Sequence, residues 1–114
     1  VGEYVTDLKA WLNGIKPERV IVDPSALPLI TELRKNGFTQ TPANNDVLSG
    51  ILDVQTMLQT GRLKIYKDCK HTLEEFGVYA WDPDKDDTVL KVNDHCMDAI
   101  RYFVRTKRLV KLRN

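Results

Sequence analysis

Apolar residues recur at helical spacing from the first residue: Val1, Val5, Leu8, Leu12 and Ile15 lie three or four apart, and Gly14 with Pro17 supplies a stop. The spacing predicts an amphipathic helix. Arg19 to Val22 is instead a short β-branched run, ended by Asp23-Pro24 because proline has no N–H to continue a strand ladder. It predicts a buried strand with Asp23 at its carboxyl end. Ser25 is a candidate cap for the next helix, Pro28 is tolerated in a first turn, and Gly37 suits a left-handed stop before a second short strand, Phe38 to Thr41. A third helix, capped at Asn44 or Asn45, carries Val47, Leu48, Ile51, Leu52, Val54 and Leu58 and ends at Gly61.

Leu63 to Tyr66 reads as a strand. Thr72 and Glu75 have the spacing of a capping box for a short helix whose apolar side is Leu73, Phe76 and Tyr79, stopping near Trp81. The acid-rich stretch Asp82 to Asp87 is turn chemistry, and Thr88 to Val92 is a strand returning from it, so a hairpin or long β-loop is expected. From Asp94 a last helix is predicted to run to about Leu109 with a frayed basic end. On a helical wheel Ala99, Phe103, Cys96, Ile100, Val104 and Met97 form one apolar arc expected to face the core. Asp94, Asp98, Arg101 and Arg105 share another side, and His95 lies between. Strands alternating with helices predict an α/β sheet covered by helices.

At 114 residues the chain holds one domain or part of one, read as a single unit over 1–114. It is 42% hydrophobic and 29% charged, and no apolar run approaches the roughly 20 residues that cross a bilayer, so a globular chain with no membrane span is expected. The start, Val1-Gly2-Glu3-Tyr4, has neither an initiator methionine nor a signal-peptide layout, and it reads as a piece of something longer. Two cysteines, Cys69 and Cys96, are too few for a disulfide framework and fit a reducing cytoplasm. The net charge of +1 hides an asymmetry: Arg101, Arg105, Lys107, Arg108, Lys111 and Arg113 crowd the end of the chain with no acid among them. Such a tail suits a polyanion such as nucleic acid, though a solvated helix end has the same composition.

Asp94 and Asp98, four apart on one helix side, repel each other by a few tenths of a kcal/mol unless arginines or a cation offset it. The plainer reading makes Asp94 a dipole-favoured helix start and Asp98 a partner of Arg101 or Arg105. Asp23 sits where open α/β sheets collect ligands, or it simply starts a turn. A strand-end acid with a helix-borne acid would suit magnesium or manganese, two of which, about 4 Å apart, can activate water and stabilise the leaving oxygen of a phosphodiester. Other metals fit less well. Cys69, His71, His95 and Cys96 lack a Cys-x-x-Cys pair for zinc. Asp82, Asp84 and Asp86 begin like a calcium loop, but Asp87 and Asn93 stand where glycine and glutamate are needed. With no Gly-x-x-x-x-Gly-Lys loop, ATP hydrolysis is not expected of these residues.

The stretch Lys91-Val92-Asn93-Asp94-His95-Cys96-Met97-Asp98-Ala99-Ile100-Arg101-Tyr102 resembles the closing motif of the nuclease domains of tailed-phage terminase large subunits. Ile21-Val22-Asp23-Pro24-Ser25-Ala26 resembles that family's strand-end acid, and Gly37-Phe38, Gly50 to Val54, Gly61-Arg62-Leu63 and Glu75 to Trp81 resemble the landmarks between. The resemblance implies a ribonuclease H-like mixed sheet flanked by helices, lacking its first strands and the first catalytic aspartate they carry. It implies a magnesium- or manganese-dependent endonuclease cutting concatemeric double-stranded DNA, with Asp23 and Asp98 as metal-binding catalytic acids and Asp94 and His95 auxiliary. With one acid missing, weak or absent activity and strand-mediated self-association are expected of this chain alone. By the same resemblance the parent protein meets a portal protein and a terminase small subunit in the host cytoplasm, and the basic tail grips DNA phosphates. Two alternatives remain: another ribonuclease H-like nuclease, such as a resolvase or integrase, and a non-catalytic module binding DNA or a packaging partner.

Overall fold

Three consecutive β-branched residues form β1 (Val20–Val22), which runs parallel to β2 (Gln40–Pro42) in the computed structural model of the chain, with Val20 opposite Gln40, Ile21 opposite Thr41 and Val22 opposite Pro42. The structure describes residues 2–111, in two compact units divided between Ala43 and Asn44. In the first, β1 and β2 are joined through α2 (Leu27–Lys35), the connection that parallel pairing requires. Proline at the end of β2 is tolerated because the ladder stops there. α1 (Gly2–Leu12) packs on α2, and Val5 and Leu33 are almost wholly buried. Gly37 takes the left-handed conformation expected of it (φ 81°), and Phe38 N–H reaches back to Leu33 O at 3.0 Å.

Ser25 does not cap α2, which has no side-chain cap at all. The local pattern is an Asx turn: Asp23 Oδ1 accepts from both Ser25 N and Ser25 Oγ at 2.9 Å, bending the chain between strand and helix.

The second unit is helical: α3 (Val47–Gln59), α4 (Lys70–Val78), α5 (His95–Thr106) and a 3₁₀ turn, Leu109–Lys111. α3 is capped by Asp46, whose carboxylate accepts from Ser49 N at 3.2 Å, one residue beyond the expected asparagines. α5 packs against α3 most extensively and against α4 next.

Four expectations for this unit are corrected. Leu63–Tyr66 is not a strand: Arg62 N and Leu63 N both turn back to Met57 O, so these residues serve the end of α3 instead of a ladder. Thr72 and Glu75 do not form a capping box, because α4 begins earlier, at Lys70. The hairpin is reduced to one antiparallel bridge, Trp81 to Val89, closing a loop in which Asp82 Oδ1 accepts from Asp84 N. Finally, α5 is rotated from its predicted setting: Met97, Arg101 and Val104 are its buried residues, while Phe103 and Ala99 are exposed.

The rotation has a definite cause. Gly50 in α3 leaves a notch filled by the aliphatic stem of Arg101, and a Cβ placed on Gly50 would lie 2.7 Å from Arg101 Cδ. Helices approach this closely only where one of them lacks a side chain, so the glycine selects which face of α5 turns inward.

Candidate functional site

The head of α5 gathers charge by its local geometry. Asn93 adopts the left-handed conformation (φ 49°), which asparagine tolerates, and this reversal delivers the chain into Asp94, the residue at the N-cap position. Asp94 makes no side-chain cap. Glu75 of α4 supplies that function from across the unit: its Oε1 accepts from Cys96 N at 2.8 Å and Met97 N at 3.0 Å. A buried carboxylate at a helix start is favoured by the helix dipole and by two otherwise orphaned donors.

With the cap supplied from α4, the Asp94 carboxylate is free to face its neighbours. Its residue is only 6% exposed, and its Oδ2 makes no well-angled hydrogen bond but lies 3.3 Å from Lys91 Nζ. Asp98, one turn on, has its Oδ2 3.7 Å from the same ammonium and its Oδ1 3.1 Å from Arg101 Nη2. Lys91 thus spans both acids, offsetting the repulsion expected at this spacing. Burial alone would lower the Lys91 pKa, but its polar contact with Asp94 and the charges of Asp98 and Asp94 outweigh this and raise it above the ordinary lysine value.

Arg101, expected among the DNA-contacting cations, is placed elsewhere by the structure. It is 1% exposed, donates to Asn45 Oδ1 at 2.9 Å and to Asp98 Oδ1, and stacks 5.0 Å from the Tyr102 ring centre. Its stem lies in the Gly50 notch, so it is an internal cation and not a surface one. Nearby, Tyr79 Oη is buried without a well-formed hydrogen bond, and burial raises the phenol pKa despite the Arg101 charge that opposes it.

His95 is exposed at the first position of α5 and makes no side-chain hydrogen bond or ion pair among the described residues. Cys96 is half-buried; a Thr72 hydrogen bond pulls its thiol pKa down, but the Glu75 hydrogen bond and burial together push it up, which disfavours the thiolate a metal needs. Asp23 belongs to the first unit, partly buried at the end of β1 in its Asx turn. Among the described residues no group of three or more histidine, cysteine, aspartate or glutamate side chains is placed to hold a metal ion.

The basic stretch after α5 is not a frayed helix end. Arg108, at φ 52°, turns the chain so that Leu109–Lys111 folds back as the 3₁₀ turn, and Arg62 clamps it by donating to the carbonyls of Leu109 and Val110. Arg105 Nη1 pairs with Asp53 Oδ2 at 2.9 Å. Asp53 and Arg105, with Asn44, Arg108, Val110 and Lys111, line a polar pocket of about 120 Å³. Lys107, Arg108 and Lys111 are exposed, and Arg113 lies outside the described residues. No helix among the described residues is long and apolar enough to cross a membrane.

The roles of Lys91, Glu75 and Asn45 emerge only from the fold. A lysine three residues before the acid pair, in a turn closed by asparagine, was the available signal for the first. For Arg101 it was the glycine in the middle of α3, since such a glycine often marks a close approach.

Residues 21–107 match the family model of the terminase RNaseH-like domain. The chain is 30% identical over 91 residues to the terminase large subunit of Salmonella phage P22, covering 74% of this chain and 18% of that protein. It is 26% identical over 110 residues to the large subunit of Escherichia phage T5, covering 90% of this chain and 25% of that one. Among solved structures, the large terminase of a thermophilic bacteriophage in complex with ADP superposes with a TM-score of 0.84 at 40% identity, over 91% of this chain and 28% of that chain.

Proposed function

The chain belongs to the terminase RNaseH-like domain family, and from that premise we propose that it is part of the nuclease of a phage DNA-packaging terminase, cutting concatemeric double-stranded DNA with magnesium or manganese. The observation that carries this is the acid pair at the head of α5, where Asp94 and Asp98 point carboxylate oxygens at one ammonium group. The donor set fits a hard divalent cation: both ligands are carboxylate oxygens, and Asp94 Oδ2 is buried without a satisfying hydrogen bond. Asp98 and Asp94 would hold the ion from α5, and Asp23 is proposed as an acid of the same chemistry at the end of β1. When bound, such ions activate water and stabilise the leaving oxygen of a phosphodiester.

The chain's own residues divide the remaining work. Arg101 fixes the orientation of the Asp98 carboxylate, and Glu75 fixes the head of the helix that carries it. His95, exposed beside Asp94, would exchange a proton with solvent or substrate. Arg108 and Lys111 at the pocket with Arg105, and the exposed Lys107, would hold DNA phosphates without regard to sequence.

The chain spans about a fifth to a quarter of the length of the curated relatives it matches. Contacts with a portal protein and a small subunit in the host cytoplasm therefore belong to the proposal for the whole protein. The test is manganese binding by calorimetry on the chain and on its Asp23→Asn and Asp98→Asn variants. Weaker binding in both variants is expected, and binding indifferent to both would sink the catalytic reading. Salt-dependent DNA binding would then leave a non-catalytic DNA-binding module, the reading favoured by the basic pocket alone.

A further inference from the structure

Asp98 lies between two cations of opposite character. Arg101 holds Oδ1 from inside the protein: its side chain is 2% exposed, its guanidinium also donates to Asn45, and the Gly50 notch encloses its stem. Lys91 faces Oδ2 from outside: its side chain is 63% exposed, its two carboxylate distances are 3.3 and 3.7 Å, and it rides on the loop before Asn93. Withdrawing Arg101 would require repacking α3 against α5. Withdrawing Lys91 requires only rotation of a long, hydrated side chain away from the two carboxylates.

The two acids also differ in what the ammonium leaves them. Asp94 Oδ2 and Asp98 Oδ2 face one point, the position of Nζ, while Asp98 Oδ1 stays with Arg101 whatever occupies that point. One positive charge there stands against two carboxylates, of which Arg101 already balances one. A divalent cation satisfies such a pair better than a monovalent one, provided the monovalent one can leave.

We propose that Lys91 is a displaceable stand-in cation, whose ammonium holds the Asp94–Asp98 pair in the absence of metal and yields that position to a divalent ion, setting the affinity of the site. Its function is to keep a buried carboxylate compensated in charge before metal arrives, while Arg101 holds Asp98 in place whether Lys91 is present or not. The inference rests on the proposed metal-binding role of Asp98.

The test uses manganese alone, titrated by calorimetry into the wild-type chain and into Lys91→Gln, Lys91→Arg and Asp98→Asn. Lys91→Gln is expected to bind manganese roughly five- to tenfold more tightly, the scale expected when one partly exposed like charge leaves a cation site. Lys91→Arg keeps the charge and should stay near wild type. A purely structural role for Lys91 predicts the reverse order, since the glutamine variant would loosen the acids and weaken binding. If Asp98→Asn abolishes binding while Lys91→Gln leaves it unchanged or weaker, the stand-in role is wrong and the metal site stands. If Asp98→Asn has no effect, the metal site itself fails and takes the inference with it. A measurement on the unmutated chain covers the case in which Lys91→Gln does not fold: saturating manganese should speed reductive methylation of Lys91, as its ammonium leaves the carboxylates. An unchanged methylation rate in a chain that binds manganese would overturn the proposal.

Discussion

Adding one methyl group at Gly50 tests the packing that turns Arg101 inward. Helical propensity favours alanine there by about 1 kcal/mol, because glycine is the costlier residue in a helix interior. Against this, the new Cβ would sit 2.7 Å from Arg101 Cδ, a separation that forces something to move. The struck atom is in the middle of the side chain, and its far end is tied to Asn45 and Asp98, so it cannot swing away without losing those bonds. Overpacking of this kind costs about 1–3 kcal/mol, and each lost hydrogen bond to a charged group about 1.5–3 kcal/mol. Overpacking together with one lost hydrogen bond, less the propensity gain, leaves a net destabilisation of about 1.5–5 kcal/mol for Gly50→Ala. In a domain of roughly 60–100 residues each kcal/mol moves Tm by about 4–8 °C, so thermal unfolding followed by circular dichroism resolves it. Gly77→Ala in α4 is the control: a Cβ there meets nothing within 4 Å, and the same substitution should raise Tm through propensity alone. A Gly50→Ala chain that melts with or above the wild type would refute the notch.

Replacing Glu75 by alanine should destabilise the chain by about 1–3 kcal/mol in urea unfolding, since the Cys96 and Met97 amides lose a charged acceptor, and Glu75→Gln should lose less. Burial favours the neutral Tyr79 phenol in the folded chain, so that contribution to stability is intact below the ordinary value of 10.0 and is lost as pH rises through the higher folded value. An absorbance titration should show a late-ionising tyrosine that Tyr79→Phe removes. Arg108→Ala and Lys111→Ala should weaken duplex binding irrespective of sequence, each flattening the slope of log affinity against log salt by about 0.9; an unchanged slope would remove that residue from the phosphate contacts.

Elements specified by short-range chemistry were the legible ones. The β-branched run ended by Asp23-Pro24, the Gly37 stop and the apolar period of α3 each depend on neighbours within a few residues, and β1, the end of α2 and α3 lie where they predict, as does the ribonuclease H-like α/β class. What failed depended on distant partners. Leu63 to Tyr66 has strand composition, but its first amide, with that of Arg62, is taken by Met57 O. The wheel of α5 put Phe103 inside and Arg101 outside because it scores side chains singly, whereas Gly50, far earlier in the chain, decides which face can approach. At the candidate site the acids themselves were visible in the sequence. Their cation partners were harder to assign, since Arg101 and Arg105 both lay at helical spacing, Lys91 lay outside the helix, and only the fold distinguishes the enclosed cation from the exposed one.

The cap on α5 has a consequence for motion. A helix capped by its own N-cap residue can fray from the head at little cost, because cap and first turn unwind together. Here the first amides are held by Glu75, well before them in the chain and on another helix, so the head of α5 cannot open unless α4 lets go. α4 and the first turns of α5 should therefore open as one cooperative unit, with the Cys96 and Met97 amides exchanging hydrogen at the slow rate of α4 instead of the fast rate of a free helix end. Asp94 and Asp98, carried on that stretch, would keep their spacing through the local breathing that loosens most helix termini.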